Sequence, residues 1–421
     1  MKLKRELFKN EFFKNTLTLT IGTSIAQLVP VFFYPIIARI YTPSDFGLLA
    51  IIISIVSILG VVATGKYENS ILITDTKKNT INIIALILVI SFLVLFISFI
   101  GLWAFSSKIS ILFNEPLLKH WLLICPAISF AIIIYKVYNE WCVRNKYFKN
   151  LSYNKIVNAS ATTLGKFFLG ILKASNGLIF GDALGRFVSA GSCIHGFTKR
   201  DREELKNISL KRMRVLAGKY IDFPKFSLPE SLIDTVGEQL PVLLISYFFI
   251  SDETGYFSMA QSVLFVPSSV ISLAVMDVFR QRANEEWQIN GNCLAIYKKT
   301  VKLMTLIVIP AGLILATIAP GLFSFVLGKE WRIAGEYAQI VLPNVAILFV
   351  FQVVSAVFII ANKLKVSFYW QIFSISLTLI SLLIGGGIFK DMKMLLICYT
   401  AARIIANSIR FYLTYQYAKG A

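Results

Sequence analysis

Runs of about twenty apolar residues, each closed by a short polar break, recur along the whole chain. Twelve can be traced, over residues 16–38, 46–65, 81–103, 117–139, 152–173, 177–197, 229–250, 255–277, 301–327, 334–361, 367–389 and 394–417. Each is long enough to cross a bilayer. Backbone groups in lipid must be satisfied within the segment, so the runs predict helices rather than loops. The pattern therefore predicts an all-α integral membrane protein with twelve transmembrane helices. The opening stretch MKLKRELFKNEFFKN is polar, basic and weakly amphipathic. It predicts a segment at the membrane surface ahead of an uncleaved first span. Connections of a few to about thirty residues leave no room for a separate soluble domain.

The runs also repeat as a set. Pro126 opens one and Asn145-Lys146 closes it; Pro343 opens another and Asn362-Lys363 closes it at the same spacing. An aromatic follows each at equal distance, Tyr153 and Trp370. Upstream, Gly47 and Gly255 each open an apolar helix just after a polar break. These echoes predict an amino-terminal six-helix bundle over 1–197, a cytoplasmic linker over 198–225, rich in both signs of charge, and a carboxyl-terminal six-helix bundle over 226–421. Transporters are built from such duplications, with the substrate site between the repeats. Interior prolines and glycines, Pro30, Pro35, Pro126, Gly165, Pro241, Pro267, Pro310, Pro320 and Pro343 among them, predict bends that let a bundle open at one face and close at the other.

Composition agrees with the membrane reading: 56% of residues are hydrophobic, against the ~45–50% of soluble chains, and the mean hydropathy is +0.70. A net charge of +19 invites a nucleic-acid partner, but its placement argues against one. Of 42 Lys and Arg, 29 fall in or at the edges of the amino terminus, the even-to-odd connections and the carboxyl terminus. That bias is the positive-inside pattern, and it predicts both termini in the cytoplasm and an even number of spans. Five scattered cysteines and two distant histidines, His120 and His195, give no metal or redox spacing. There is no paired histidine or nucleophile elbow, and the longest outward connection, 104–116, is too small for an exported catalytic domain. The expectation is a transporter without a resident cofactor, not an enzyme.

Charges within the spans mark the candidate site, because a charge at the bilayer centre costs ~2.5–3.5 kcal/mol or more. In the sixth run Asp182 and Arg186 stand four apart on one helix face, flanked by Gly181 and Gly185, which allow close helix approach. They form either a structural ion pair or one that responds to substrate or ion. In the seventh, Glu230, Asp234 and Glu238 fall at four-residue steps, balancing basic residues or binding a coupling cation or proton. Lys166, then Arg403 and Arg410 seven apart on one face, and Asp277 with Arg280 complete the deep set. Lys136, Glu140 and Arg144 predict a snorkelling interfacial stripe, and Lys66 with Glu68 sits at the inner end of the second run. Fixed cations of this kind suit an anionic substrate, since guanidinium grips phosphate oxygens with two prongs.

The stretch from Tyr220 to Glu285 carries Phe223-Pro224, Pro229, Pro241, Gly255-Tyr256-Phe257, Pro267 and Val278-Phe279 followed by Arg280 and Arg282. Together with Tyr41, Pro43, Phe46 and Gly47 in ARIYTPSDFGLLA, it resembles the polysaccharide-repeat (O-antigen type) flippases of the multidrug/oligosaccharidyl-lipid/polysaccharide exporter superfamily. The resemblance implies a MATE-like plan, two six-helix bundles around a central cavity. It implies transfer of an undecaprenyl-pyrophosphate-linked oligosaccharide from the inner to the outer leaflet by alternating access, coupled to a proton or sodium gradient. Membrane lipid and the polysaccharide polymerase machinery are the implied partners, and a monomer the implied state. Arg186, Lys166 and Arg403, with Arg410, Arg280 and Lys66, are the residues expected at the pyrophosphate; Asp182, Asp234, Glu238 and Asp277 are expected to serve coupling or charge balance. The alternatives are a multidrug or cation antiporter of the same superfamily, which calls for a carboxylate-dominated cavity, and a flippase for a lipid-linked peptidoglycan precursor.

Overall fold

The computed structural model describes the backbone of residues 2–420 and the side chains of 18–420 other than Val266, Val270 and Ala274. All the described regular structure is helical. The long helices are α1 (Lys2–Ile40), α2 (Pro43–Thr64), α3 (Lys77–Leu112), α5 (Cys125–Arg144), α6 (Phe148–Ile171), α7 (Gly177–Asp201), α9 (Leu228–Phe248), α10 (Ser251–Asn290), α11 (Leu294–Leu327), α12 (Arg332–Val354), α14 (Leu364–Leu383) and α15 (Met392–Ala418). Short helices α4 (Leu118–Trp121), α8 (Leu210–Lys219) and α13 (Val357–Ile360) lie between them.

Each of the twelve expected runs thus becomes a long helix, but the expected count of twelve membrane spans is not reproduced. Eight helices among the described residues are long and apolar enough to cross a membrane: Thr18–Ile40 within α1, then α2, α3, α10, α11, the segment Lys329–Ile360, Leu364–Phe389 and α15. The remaining four long helices are α5, α6, α7 and α9. They hold Lys136, Lys166, Asp182, Arg186 and Asp234, so the side chains that single them out chemically also dilute their apolarity.

Helix boundaries follow local chemistry. Thr42 and Asp45 form a capping box at the start of α2, with Pro43 at its first position. Gly65 ends that helix in the left-handed region at φ +56°, where a residue without Cβ is unstrained. Asp391 caps α15 through the Met394 amide at 2.8 Å. Several expected connections are themselves helical. The stretch between the eighth and ninth runs, 278–300, is α10 running on to Asn290 and α11 beginning at Leu294, and most of 104–116 is the end of α3. Within 198–225, α7 runs to Asp201, a 3₁₀ turn covers Arg202–Asn207, and α8 follows.

The repeat is looser than its sequence echo. Gly47 and Gly255 do correspond, each the fifth residue of its helix. The Asn-Lys pairs do not: after α5 it is Lys146 that takes the left-handed conformation (φ +59°), after α13 it is Asn362 (φ +53°), one residue out of register. Pro126 is the second residue of α5, where its missing N–H is an orphan in any case, whereas Pro343 lies inside α12. Only the latter removes an interior hydrogen bond.

The chain divides into two compact units, residues 1–45 with 51–235, and residues 46–50 with 236–421. The first has a core of Ile83, Ile87, Val137, Trp141 and Tyr220 with their neighbours. The segment after α7 packs on it: Asn82 donates to the Asn207 carbonyl at 2.9 Å and accepts from the Ser209 amide at 2.8 Å, and Tyr67 donates to the Ala217 carbonyl at 3.1 Å. Within this unit α6 and α7 cross backbone to backbone. A Cβ on Gly181 would lie 2.4 Å from the Lys166 amide nitrogen, and one on Gly185 2.3 Å from the Thr162 Cα. The second unit packs Phe279, Tyr297, Phe349, Val353 and Val354 together. There Phe46 meets Trp331 edge to face at 5.1 Å between centroids.

The α6–α7 crossing yields a direct prediction. Gly181→Leu must push the two backbones apart and should cost at least the ~1–3 kcal/mol of an overpacked core. Gly191→Leu, whose Cβ would meet nothing within 4 Å, should cost almost nothing. Thermal unfolding in detergent distinguishes the two.

Candidate functional site

The glycine crossing brings Lys166 on α6 to the acid of α7. Lys166 Nζ lies 2.7 Å from Asp182 Oδ1, and Arg186 Nε lies 2.5 Å from Oδ2. Asp182 is buried, at 6% exposure, while the two cations keep about a fifth of their side chains accessible. Tyr41 donates to the Lys166 main-chain carbonyl at 2.8 Å and anchors that turn of α6. One carboxylate thus serves two cations, and the cluster is net positive. Arg186 engages Asp182 through Nε alone; its two terminal nitrogens have no partner among the described residues. A guanidinium held by its inner nitrogen presents its outer edge in fixed orientation to an acceptor with two oxygens.

Arg403 and Arg410 fall on one face of α15, as their spacing predicts, and both pack against α14. Arg403 donates through Nη1 to Ser374 Oγ at 3.0 Å, and the Arg410 guanidinium stacks over the Trp370 ring at 4.3 Å. Trp370 donates to the Ala406 carbonyl at 2.7 Å, which fixes the ring under the cation. Arg403 has no acidic partner among the described residues, and its Nε is buried without a hydrogen bond. Nearby, Asn407 donates to Asn344 Oδ1 at 3.2 Å in a fully buried pair. These asparagines escaped the sequence reading, although a signal existed: Asn407 falls between Arg403 and Arg410 on the same helical stripe.

At the end of α2 the expected interfacial residues take up fixed positions. Glu68 is almost wholly buried; its Oε1 accepts from Lys136 Nζ at 2.7 Å and stands 3.9 Å from Lys66 Nζ, while its Oε2 has no partner. Burial of Lys66 and the nearby Lys136 pull the Lys66 amine below its ordinary range, and Glu68, Asp234 and Glu230 act in the opposite direction. Arg144 donates to the carbonyls of Ile71 and Leu72, at 3.2 Å each, and of Thr74. The snorkelling stripe is therefore corrected: Lys136 and Arg144 turn onto the segment after α2, because a buried carboxylate and the free carbonyls of a 3₁₀ end need donors. The burial of Glu68 left no trace in the sequence pattern.

Asp234 and Glu238 lie on the exposed side of α9. Asp277 and Arg280, expected in the deep set, are exposed on α10.

The sequence pattern of the family described as "Polysaccharide biosynthesis protein" matches residues 36–335. No curated relative matches the chain by sequence. Solved structures do match in fold. A lipid II flippase MurJ in an inward closed conformation superposes with a TM-score of 0.76 at 14% identity, covering 96% of this chain and 90% of that one. An inward-facing multidrug resistance MATE family transporter of the MOP superfamily gives 0.68 at 13%, covering 95% and 94%. The Vibrio cholerae MATE transporter VcmN in its bent form gives 0.58 at 14%, covering 96% of each chain. At these identities the likeness establishes the fold, one shared with the MurJ flippase and the MATE transporters, in a multi-pass membrane protein.

Removing the shared acid tests the triad. Asp182→Ala leaves two partly buried cations facing each other, and should destabilise the protein by about 2–3 kcal/mol, below the 3–5 of a fully buried pair because the cations are partly hydrated. Adding Lys166→Met should recover part of that loss. A double-mutant cycle from thermal unfolding in detergent reads the coupling; simple additivity would contradict the triad.

Proposed function

We propose, for a chain that belongs to the polysaccharide biosynthesis protein family, that it is a flippase moving an undecaprenyl-pyrophosphate-linked oligosaccharide from the inner to the outer leaflet of a bacterial cytoplasmic membrane. The observation that carries this reading is the excess of fixed cation at the helix-embedded site: Lys166 and Arg186 share one carboxylate, and Arg186 keeps its terminal nitrogens unpartnered. A pyrophosphate supplies the oxygens those nitrogens lack. Arg403, held by the neutral Ser374, adds a second cation without an acid to cancel it.

In this reading the lipid-linked diphosphate meets Arg186 first by charge and then by geometry, since guanidinium stays protonated at any working pH and is less strongly hydrated than an ammonium. Lys166 supplies a point charge, and Asp182 holds both cations in place while the site is empty. Alternating access then exposes the site to each face of the membrane in turn. Lys66, Arg280 and Arg410 are further candidate contacts for the diphosphate, and the exposed acids Asp234, Glu238 and Asp277 serve the coupling ion or charge balance. Both termini lie in the cytoplasm. An antiporter for organic cations is disfavoured by the same excess of positive charge, which would repel its cargo.

The test is complementation of a strain lacking its own O-antigen flippase, with surface polysaccharide as readout. Arg186→Ala removes one charge-assisted contact and should weaken substrate capture roughly tenfold to a hundredfold, with export lost while the protein remains in the membrane. Arg186→Lys should retain part of the export, because it keeps the charge and loses the fork. Normal export by Arg186→Ala would sink the reading.

A further inference from the structure

The second unit carries a groove whose lining includes none of the candidate diphosphate contacts. It runs between α11 and α15 on their outward faces and encloses about 700 Å³. Its floor and walls are apolar: Leu306, Ile309 and Pro310 from α11 face Phe411 and Tyr412 from α15. At one end stand Lys298 and Lys302, one helical turn apart on α11. Both lysines are exposed, and neither makes an ion pair or hydrogen bond among the described residues.

We infer that this groove is a binding site for an acidic phospholipid of the surrounding bilayer, with an acyl chain along the groove and the phosphate at Lys298 and Lys302. Three features carry the assignment. The groove is long enough: from Tyr297 to Pro310 the helix rises about 20 Å, more than the ~15 Å of one leaflet's share of a ~30 Å hydrocarbon core. Its charged end is at the correct depth, because α11 has 34 residues, or about 50 Å of helix, and its first turns must project into the headgroup region. Its walls are fixed before a lipid arrives. Tyr297 shares a hydrogen bond of 3.0 Å with Thr414, and the Cys293 amide donates to the Ala418 carbonyl at 2.9 Å, which lock the start of α11 to the end of α15. A preformed apolar slot with two unpaired ammonium groups at its mouth is complementary to one lipid class, the anionic one. A zwitterionic lipid brings its own cation to those lysines and gains less.

Native mass spectrometry of the full-length protein, titrated in detergent with phosphatidylglycerol and with phosphatidylcholine, tests the site. The wild-type protein should retain phosphatidylglycerol preferentially. Each of Lys298→Ala and Lys302→Ala should lower that retention about fivefold and leave phosphatidylcholine unchanged. Leu306→Trp fills the groove from within and should reduce retention while both lysines remain, which separates the slot from mere surface charge. Equal retention of the two lipids, or wild-type retention in the lysine variants, would overturn the assignment. So would displacement of phosphatidylglycerol by an added polyprenyl diphosphate, which would make the groove a cargo site. None of these readouts depends on export, so the result stands apart from the proposed transport function.

Discussion

Two glycine-lined backbones in contact determine what this protein's charged interior can be. Gly165, Gly181 and Gly185 let α6 and α7 approach until no side chain fits between them. That approach is what brings Lys166 within 2.7 Å of an acid on the neighbouring helix. Without it Asp182 would hold only Arg186, its partner on the same helix, and the cluster would be neutral. With it the cluster is net positive, and Arg186 is gripped by its inner nitrogen with its outer edge unpartnered. Burying three charges is expensive, and the arrangement limits the cost by placing only the acid at full depth. The cations remain partly accessible.

The second unit meets the same constraint by other means. Arg403 rests on the Ser374 hydroxyl, and Arg410 stacks on the Trp370 indole face. Among the described residues no carboxylate pairs with Arg403. The two units therefore share helical plan and little of their chemistry. Even their shared motifs diverge in detail, since Lys146 and Asn362 take equivalent left-handed turns from non-equivalent positions in the echo.

Much of the fold was legible in the sequence because the membrane imposes a long, simple signal. All twelve apolar runs became helices. What the runs misjudged was extent and polarity. Lys298 and Lys299 fall between the eighth and ninth runs, yet lysine is a good helix former and α11 begins before them. Of the site, the Asp182–Arg186 pair was readable because four-residue spacing alone places two side chains on one face. Lys166 was recognised as a deep charge, but its pairing with Asp182 depends on how two helices cross, which periodicity does not encode. Glu68 was harder still: its burial is set by the turn after α2 and by Lys136 from another helix, neither of which leaves a local pattern.

The central claim is that a diphosphate is recognised by the unpartnered edge of Arg186. Its most direct test is translocation in proteoliposomes, comparing a polyprenyl-diphosphate-linked oligosaccharide with the same oligosaccharide on a neutral lipid anchor. The account predicts that the wild-type protein moves the diphosphate form and leaves the neutral one in place, and that Arg186→Ala moves neither. Equal transfer of both lipids by the wild type, or undiminished transfer of the diphosphate form by Arg186→Ala, would contradict it.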